Sequence, residues 1–461
     1  MSILDDLEVQ MNRMDKVCVE YTAKLHTSWK QYSINILPDD QVSIFLNNVQ
    51  TGAQEMEVSP ELLKTITIDV GLEYDSTLSV IETARKLITH INHLQAPQVI
   101  RTIHPVGQGA MYSERFLDKD GKTVFLTVYD CGSDNFRKLE REISSSSFIK
   151  SEGVDLLFIS HLDKDHVNGL RKLMDCVGTI KNVVLPLTPS WLKPILLLMA
   201  DDEVSAQIIT SPEDFFKDSN IIYVRSAWEM SAVTSPLSLP LQGDSSIAVD
   251  SGTRINSSAF GVWDWCYIPY NYDEVVRINT FLVELQNAGI TESDLSEPYF
   301  IDENRNKIQE IYRKVCGSVN DSSLVVYSGG FNNEYSSRYV HNSVRGSRPS
   351  REACLYLGDV DIHQISMNAK TMVDDLKDNL ISYMVNHHIG TIQLPHHGSI
   401  KNFHNGLLSY GHSPKVYFAS FGQNNQHGHP STLIAGLIAS RNENFCAITE
   451  ARDSALIQII K

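Results

Sequence analysis

The sequence predicts an α/β layered fold, and three observations carry that expectation. From residue 100 onward, short β-branched and aromatic runs alternate with stretches of helical apolar spacing. These runs are separated by Gly and Asp turns, and several end in clusters of His, Asp and Asn. The composition, 42% hydrophobic and 21% charged over 461 residues, is that of a chain that buries a core.

Residues 1–98 form a separate N-terminal accessory region in this reading, ending near Gln95-Ala96-Pro97. Helical spacing is expected over Leu4 to Leu25 and Thr77 to Leu94, the second through Leu78, Ile81, Ala84, Ile88 and Ile91. Short strands are expected over Gln41 to Phe45 and Lys64 to Val70. The region carries no recognisable chemistry, which leaves contact with a protein partner as its expected use.

Beyond it, Thr123 to Tyr129 predicts a strand that ends in Asp130-Cys131-Gly132, with Asp118 to Gly121 as the turn before it. Asp155 to Ser160 predicts a buried strand stopping at His161, followed by a helix over Val167 to Val177 and a strand over Asn182 to Pro186. Later strands are expected at Ser323–Tyr327, Cys354–Leu357, Thr391–Leu394, Lys415–Ser420 and Ala455–Ile460. Between about 190 and 318, helical stretches at Asp273–Ala288 and Arg305–Val315 and an aromatic cluster from Trp263 to Tyr272 predict an inserted cap. The cluster has no interleaved Lys or Arg, so packing explains it better than stacking on nucleic acid.

The net charge of −17 argues against broad adhesion to nucleic acid or to an anionic membrane, although a bound cation can still neutralise phosphates locally. No apolar run approaches a membrane span, and acids interrupt the first 25 residues where a secretory leader needs an apolar stretch. The expectation is a cytoplasmic protein without membrane contact. Seven scattered cysteines with no Cys-x-x-Cys spacing fit free thiols in a reducing compartment.

The chemistry concentrates in four segments. His161-Leu162-Asp163-Lys164-Asp165-His166 packs four potential ligands into six residues just after a predicted strand. Oxygen and imidazole donors suit Zn²⁺, Mn²⁺ or Fe²⁺. Asp359 ends a later strand, His396-His397 follow the next, and Asn425 and His429 lie in the Gly422 to Pro430 run after a third. Strand ends are where an α/β sheet builds its sites. A polar loop explains any one segment, but four in this order point to a metal centre. Arg338, Arg345, Arg348 and Arg351 form a positive run that suits either a phosphate-rich substrate or a solvated loop.

This order resembles the metallo-β-lactamase superfamily, and more closely the hydrolase domain of DNA-uptake competence channel proteins. The resemblance rests on Pro105-Val106-Gly107-Gln108-Gly109, Asp130-Cys131-Gly132, the Ser160–His166 run, Gly358-Asp359, His396-His397-Gly398-Ser399 and the Gly422–Pro430 run. It covers roughly residues 100 to 461 and omits the channel's membrane segments. It implies an αββα sandwich over 99–461, a metal-dependent hydrolase, and a phosphodiester substrate, either DNA or a smaller nucleotide. It also implies Asp130 as an acid orienting a ligand histidine, although a plain turn acid ahead of Gly132 explains it nearly as well.

Two departures from the superfamily pattern matter. Asp163 stands where a second motif histidine is usual, and no histidine occurs between His166 and His341. The first metal position is therefore depleted, while Asp165, His166, Asp359 and one of His396 or His397 suffice for the second. One or two Zn or Mn ions are expected. In the resulting mechanism a metal-activated water attacks, Asp163 either ligates a second ion or accepts a proton, and His429 contacts the substrate phosphate or leaving oxygen. The competing functions are hydrolysis of a small phosphorylated metabolite or signalling nucleotide, and a degenerate metal-binding scaffold acting through partners.

Overall fold

The computed structural model describes residues 21–461 apart from 27–30, 37–40, 49–51, 70–73, 95–97, 119–120, 146–147, 149–151, 228–234, 242–245, 261–262, 273–274, 317–322, 333–334, 342, 345–349, 364–370 and 381–382. Most of the helix expected over Leu4 to Leu25, the Gln95-Ala96-Pro97 break, Arg345 and Arg348 lie outside the described residues. Contacts divide the chain into two units, Met1–Gln98 with Leu117–Lys122, and Val99–Phe116 with Thr123–Lys461.

The first unit is an antiparallel meander of four strands, Tyr21–His26, Gln31–Ile36, Val42–Asn48 and Gly52–Met56, followed by two helices. Tyr21–His26 corrects the end of the expected first helix: its backbone pairs in antiparallel register with Gln31–Ile36. Lys64 to Val70, expected as a strand, falls within the helix Pro60–Asp69. Its β-branched residues suggest a strand, but Pro60 opens the helix, Ser59 Oγ accepts from the Leu62 N–H at 3.1 Å, and Leu63 and Ile66 share the buried face. The helix Val80–Leu94 agrees with the expected one and begins in a reciprocal cap. There the Ser79 N–H donates to Glu82 Oε2 at 2.9 Å, and the Glu82 N–H donates to Ser79 Oγ at 3.3 Å. Ile34, Ile44, Leu63, Ile66, Ala84 and Leu87 form this unit's core.

The second unit holds two sheets. From one edge, the first runs Ser246–Val249, Asn220–Val224, Asn182–Pro186, Leu156–Phe158, Thr123–Cys131, Met111–Leu117, Gln98–Ile103, Leu456–Ile460, Ser336–Val340 and Ser350–Arg351. The second runs Leu237–Leu239, Ile255–Ser257, Trp265–Asn271, Leu324–Gly330, Ala353–Tyr356, Ile389–Gln393, Val416–Ser420 and Asn444–Ile448. Because strand side chains alternate, one face of each sheet meets the other sheet and the opposite face meets helices. Leu324, Val326, Cys354 and Tyr356 join Tyr129 and Phe158 in the inter-sheet core. Their neighbours Val325, Tyr327, Ala353 and Leu355 pack with Leu376, Ile434 and Ile438 from helices. On the first sheet, Leu126, Val128 and Leu157 pack with Leu139, Leu173 and Ile208 of its own helices. The layers are helix, sheet, sheet, helix.

The segment expected as a cap is only partly one. Lys193–Met199, Val275–Asn287 and Arg305–Cys316 gather around a small core with Ile195, Phe281, Leu285, Ile308 and Tyr312. Five strands between 220 and 271, however, extend the two sheets. The aromatic cluster therefore belongs to the sheet: every residue of Trp265–Asn271 is buried, as in a strand covered on both faces. Cys131, Cys176, Cys266, Cys354 and Cys446 are free thiols. No helix among the described residues is long and apolar enough to cross a membrane.

Candidate metal centre

Neighbouring parallel strands of both sheets end at one place. In the first sheet, Leu156–Phe158 runs parallel to Thr123–Cys131 and Asn182–Pro186. In the second, Ala353–Tyr356, Ile389–Gln393 and Val416–Ser420 are parallel. Asp130, His161, Asp359, His396-His397 and the His429 loop lie at or beyond the carboxyl ends of these strands. Glycine explains how the Asp165-His166 backbone fits so tightly. A Cβ on Gly132 would sit 2.3–2.4 Å from the Asp165 carbonyl and the His166 nitrogen, a distance only hydrogen can fill.

The structure brings most of the predicted ligands together. Among the described residues, His161, His166 and Asp359 form one group whose ligand atoms lie within 4.8 Å of one another, and Asp165, His166 and His397 form a second. His166 Nε2 is 3.4 Å from Asp359 Oδ1. His397 Nε2 is 3.2 Å from Asp165 Oδ2 and 3.6 Å from Asp359 Oδ2. Either group could hold a metal ion.

Proton accounting shows what the cluster requires. The Ser420 carbonyl can only accept, so His397 Nδ1, 2.8 Å away, carries a hydrogen and Nε2 is the atom that faces the carboxylates. His166 Nδ1 donates to Asp130 Oδ2 at 2.8 Å, which likewise turns its Nε2 towards Asp359. Ser160 Oγ gives its proton to Asp130 Oδ2 at 2.6 Å and can then accept from His161 Nδ1 at 2.9 Å. Three imidazole Nε2 atoms and two carboxylates thus converge, and among the described residues His161 Nε2, His166 Nε2 and both Asp359 oxygens are buried with no hydrogen-bond partner. Such an arrangement demands positive charge.

Protons on the imidazoles are one source of that charge. Burial opposes charge on His166, but Asp359, Asp130 and Asp165 outweigh it and raise its pKa well above the ordinary value. Burial likewise opposes charge on His397, which Asp359 and Asp165 overcome. His161 goes the other way: burial and the neighbouring His166 push it down to about 3, so it stays neutral and ready to ligate. Burial would raise Asp165, yet His166 and His397 pull its carboxyl down to about 2.

Other predicted residues take different places. Asp163 caps the short helix Lys164–Val167 through its backbone, outside both ligand groups, and burial with the nearby Asp165 charge pushes its carboxyl up to about 7. His396 is also outside both groups, with Nε2 3.9 Å from Asp359 Oδ2. Asp130 is fully buried and accepts from the Ser160 N–H, the Ser160 hydroxyl and His166, which fixes the orientation of the His166 ring. His429 lies with its ring 5.7 Å from His396, pushed down to about 4 by burial and by the His396 and His397 charges. Asn425 holds that loop: its Nδ2 donates to the Gly422 and His429 carbonyls, and its Oδ1 accepts from the His427 and His429 N–H groups.

Sequence reasoning missed several contributors. Ser323 Oγ lies 3.0 Å from His161 Nδ1 and accepts from the Asp359 N–H at 2.9 Å. The Ser420 carbonyl, the Gln393 side chain and the acids Asp134 and Asp201 near the cluster were also missed. Only Ser160 had a sequence signal, its place immediately before His161.

No protein family's sequence profile matches the chain, and no curated protein matches it in sequence. Among solved structures it is similar to yeast PDE1 in its unliganded form, with a TM-score of 0.38 and 9% identity over 78% of this chain and 99% of that one.

Proposed function

We propose that this chain is a metal-dependent hydrolase with a metallo-β-lactamase-type αββα core, acting on phosphodiester bonds. The observation that carries the reading is the buried convergence of His166 Nε2, His397 Nε2, Asp165 and Asp359, whose carboxylates draw positive charge into the cluster. His/Asp donors at these positions fit Zn²⁺ or Mn²⁺. When bound, a divalent cation supplies Lewis acidity, making a water nucleophilic near neutral pH and drawing charge from the substrate's oxygens.

In this reading Asp165, His166, Asp359 and His397 would hold one ion, while His161 and Asp359 would begin a second, oxygen-rich position beside Asp163. Asp130 and the Ser420 carbonyl fix the two imidazoles as Nε2 ligands. The Asp163 carboxyl, pushed up to about 7, accepts and returns a proton near neutral pH. His429, neutral at that pH, donates an N–H to a substrate oxygen. The phosphodiester assignment rests on the sequence motifs alone.

One observation favours a small nucleotide or phosphorylated metabolite over DNA. Asp134 and Asp201, beside Asp165, add negative charge around the ligands. A polyanion pays repeated repulsion there, whereas a singly charged diester does not. The test is incubation with bis-para-nitrophenyl phosphate, a dinucleotide, and single- and double-stranded DNA, with Mn²⁺ and Zn²⁺ in turn. Turnover of the two small diesters is expected, and no turnover of any substrate with either metal would sink the reading.

A further inference from the structure

We infer that Gln393 is a positioning residue that locks the two ligand loops together, so that metal affinity depends on its side-chain amide. The inference rests on the metal-centre reading above. Gln393 is the last residue of Ile389–Gln393 and is almost fully buried. Its strand pairs in parallel with Ala353–Tyr356 as far as Leu355 opposite Ile392. Past that point the backbone ladder stops and the glutamine side chain continues it. Gln393 Oε1 accepts from the Leu357 N–H at 3.0 Å and the Gly358 N–H at 3.1 Å, the two residues that lead into Asp359.

The other end of the amide reaches the second loop. Gln393 Nε2 donates to the Tyr112 hydroxyl at 3.2 Å, and that hydroxyl lies 3.4 Å from Ser420 Oγ. Having accepted from the amide, Tyr112 is free to give its own proton to Ser420. The carbonyl of the same Ser420 accepts from His397 Nδ1. A third tie closes the set, from the His396 N–H to the Gly358 carbonyl at 3.1 Å. Gly358 itself turns with φ +54°, a conformation that needs a firm anchor. Glutamine suits the post because one group supplies an acceptor for two N–H bonds and a donor for a phenol. Glutamate keeps the first but can only accept from the phenol, which takes the Tyr112 proton away from Ser420, and leucine loses both.

The full chain and four variants, Gln393→Leu, Gln393→Glu, Tyr112→Phe and Gln458→Leu, decide the matter. Zn²⁺ affinity is measured by competition with a chromogenic chelator, alongside melting temperature. Gln458 is the control, since it is equally buried but bonds to Arg101, Ser337 and Thr391, away from the ligand loops. Gln393→Leu should weaken Zn²⁺ binding about 10- to 100-fold. Tyr112→Phe removes the link and Gln393→Glu reverses it, drawing the Tyr112 proton away from Ser420, so each should weaken binding by a smaller factor of about three to ten. That pair remains informative even if the leucine variant does not fold. Gln458→Leu should lower the melting temperature and leave affinity unchanged. Wild-type affinity in all three site variants, or an equal loss in Gln458→Leu, overturns the inference. A wild-type chain that binds no Zn²⁺ overturns the metal-centre reading as well, and is recognised because the failure is already in the unmutated protein.

Discussion

Two buried polar clusters lie in the same unit, and they are built on opposite terms. Between the sheets, Arg101 donates to Glu114 Oε1 at 2.6 Å, to the Glu352 carbonyl at 2.6 Å, to the Ser328 carbonyl and to Gln458. Glu114 also accepts from the hydroxyls of Tyr267, Ser328 and Tyr356. Every charge there has hydrogen-bonded company. At the strand ends, His161 Nε2, His166 Nε2 and both Asp359 oxygens have none. A satisfied buried network rigidifies a core, and an unsatisfied one is kept only where something else completes it. The first cluster holds the fold, and the second could hold a cation.

Breaking each cluster should therefore give opposite signatures. Glu114→Ala leaves the Arg101 charge buried without its partner and should cost about 3–5 kcal/mol of folding stability by denaturant titration. Any protein that remains folded should bind metal as before. Asp359→Ala should reverse the pattern, lowering hydrolysis of bis-para-nitrophenyl phosphate by at least about 100-fold with little loss of apo stability. Asp130→Asn, which disturbs the orientation of His166 and the Ser160 hydroxyl beside it, should weaken metal binding about 10- to 100-fold in a chelator competition. The smallest effect should come from His396→Ala. His396 lies outside both ligand groups, so metal stoichiometry should be retained, whereas His397→Ala should lose it. Equal losses in the two histidine variants would contradict the assignment of His397 as the ligand.

The two clusters also differed in how far the sequence revealed them. The candidate ligands were legible because each lies in a compact His/Asp segment at the end of an apolar strand, and strand ends can be read locally. The residues that orient those side chains were not. Ser323 meets His161 across 162 residues of chain, and the Ser420 contribution is a backbone carbonyl that any residue would supply. The Arg101–Glu114 network was invisible for the same reason, since its partners are distributed from residue 101 to residue 458. Elements were misread where local preference and tertiary context diverged. Lys64–Val70 has β-branched residues but belongs to a helix capped at Ser59. Trp265–Asn271 has no alternation because both its faces are covered, so its pattern marks packing without telling a sheet strand from a cap.

Elemental analysis asks whether the buried His/Asp cluster holds a cation. Wild-type chain and Asp359→Ala would be purified without chelator, and bound Zn, Mn and Fe counted per folded chain. About one ion or more is predicted in the wild type and a clear deficit in the variant. A wild-type chain that is metal-free as purified, and takes up neither Zn²⁺ nor Mn²⁺ when they are added, would contradict the account.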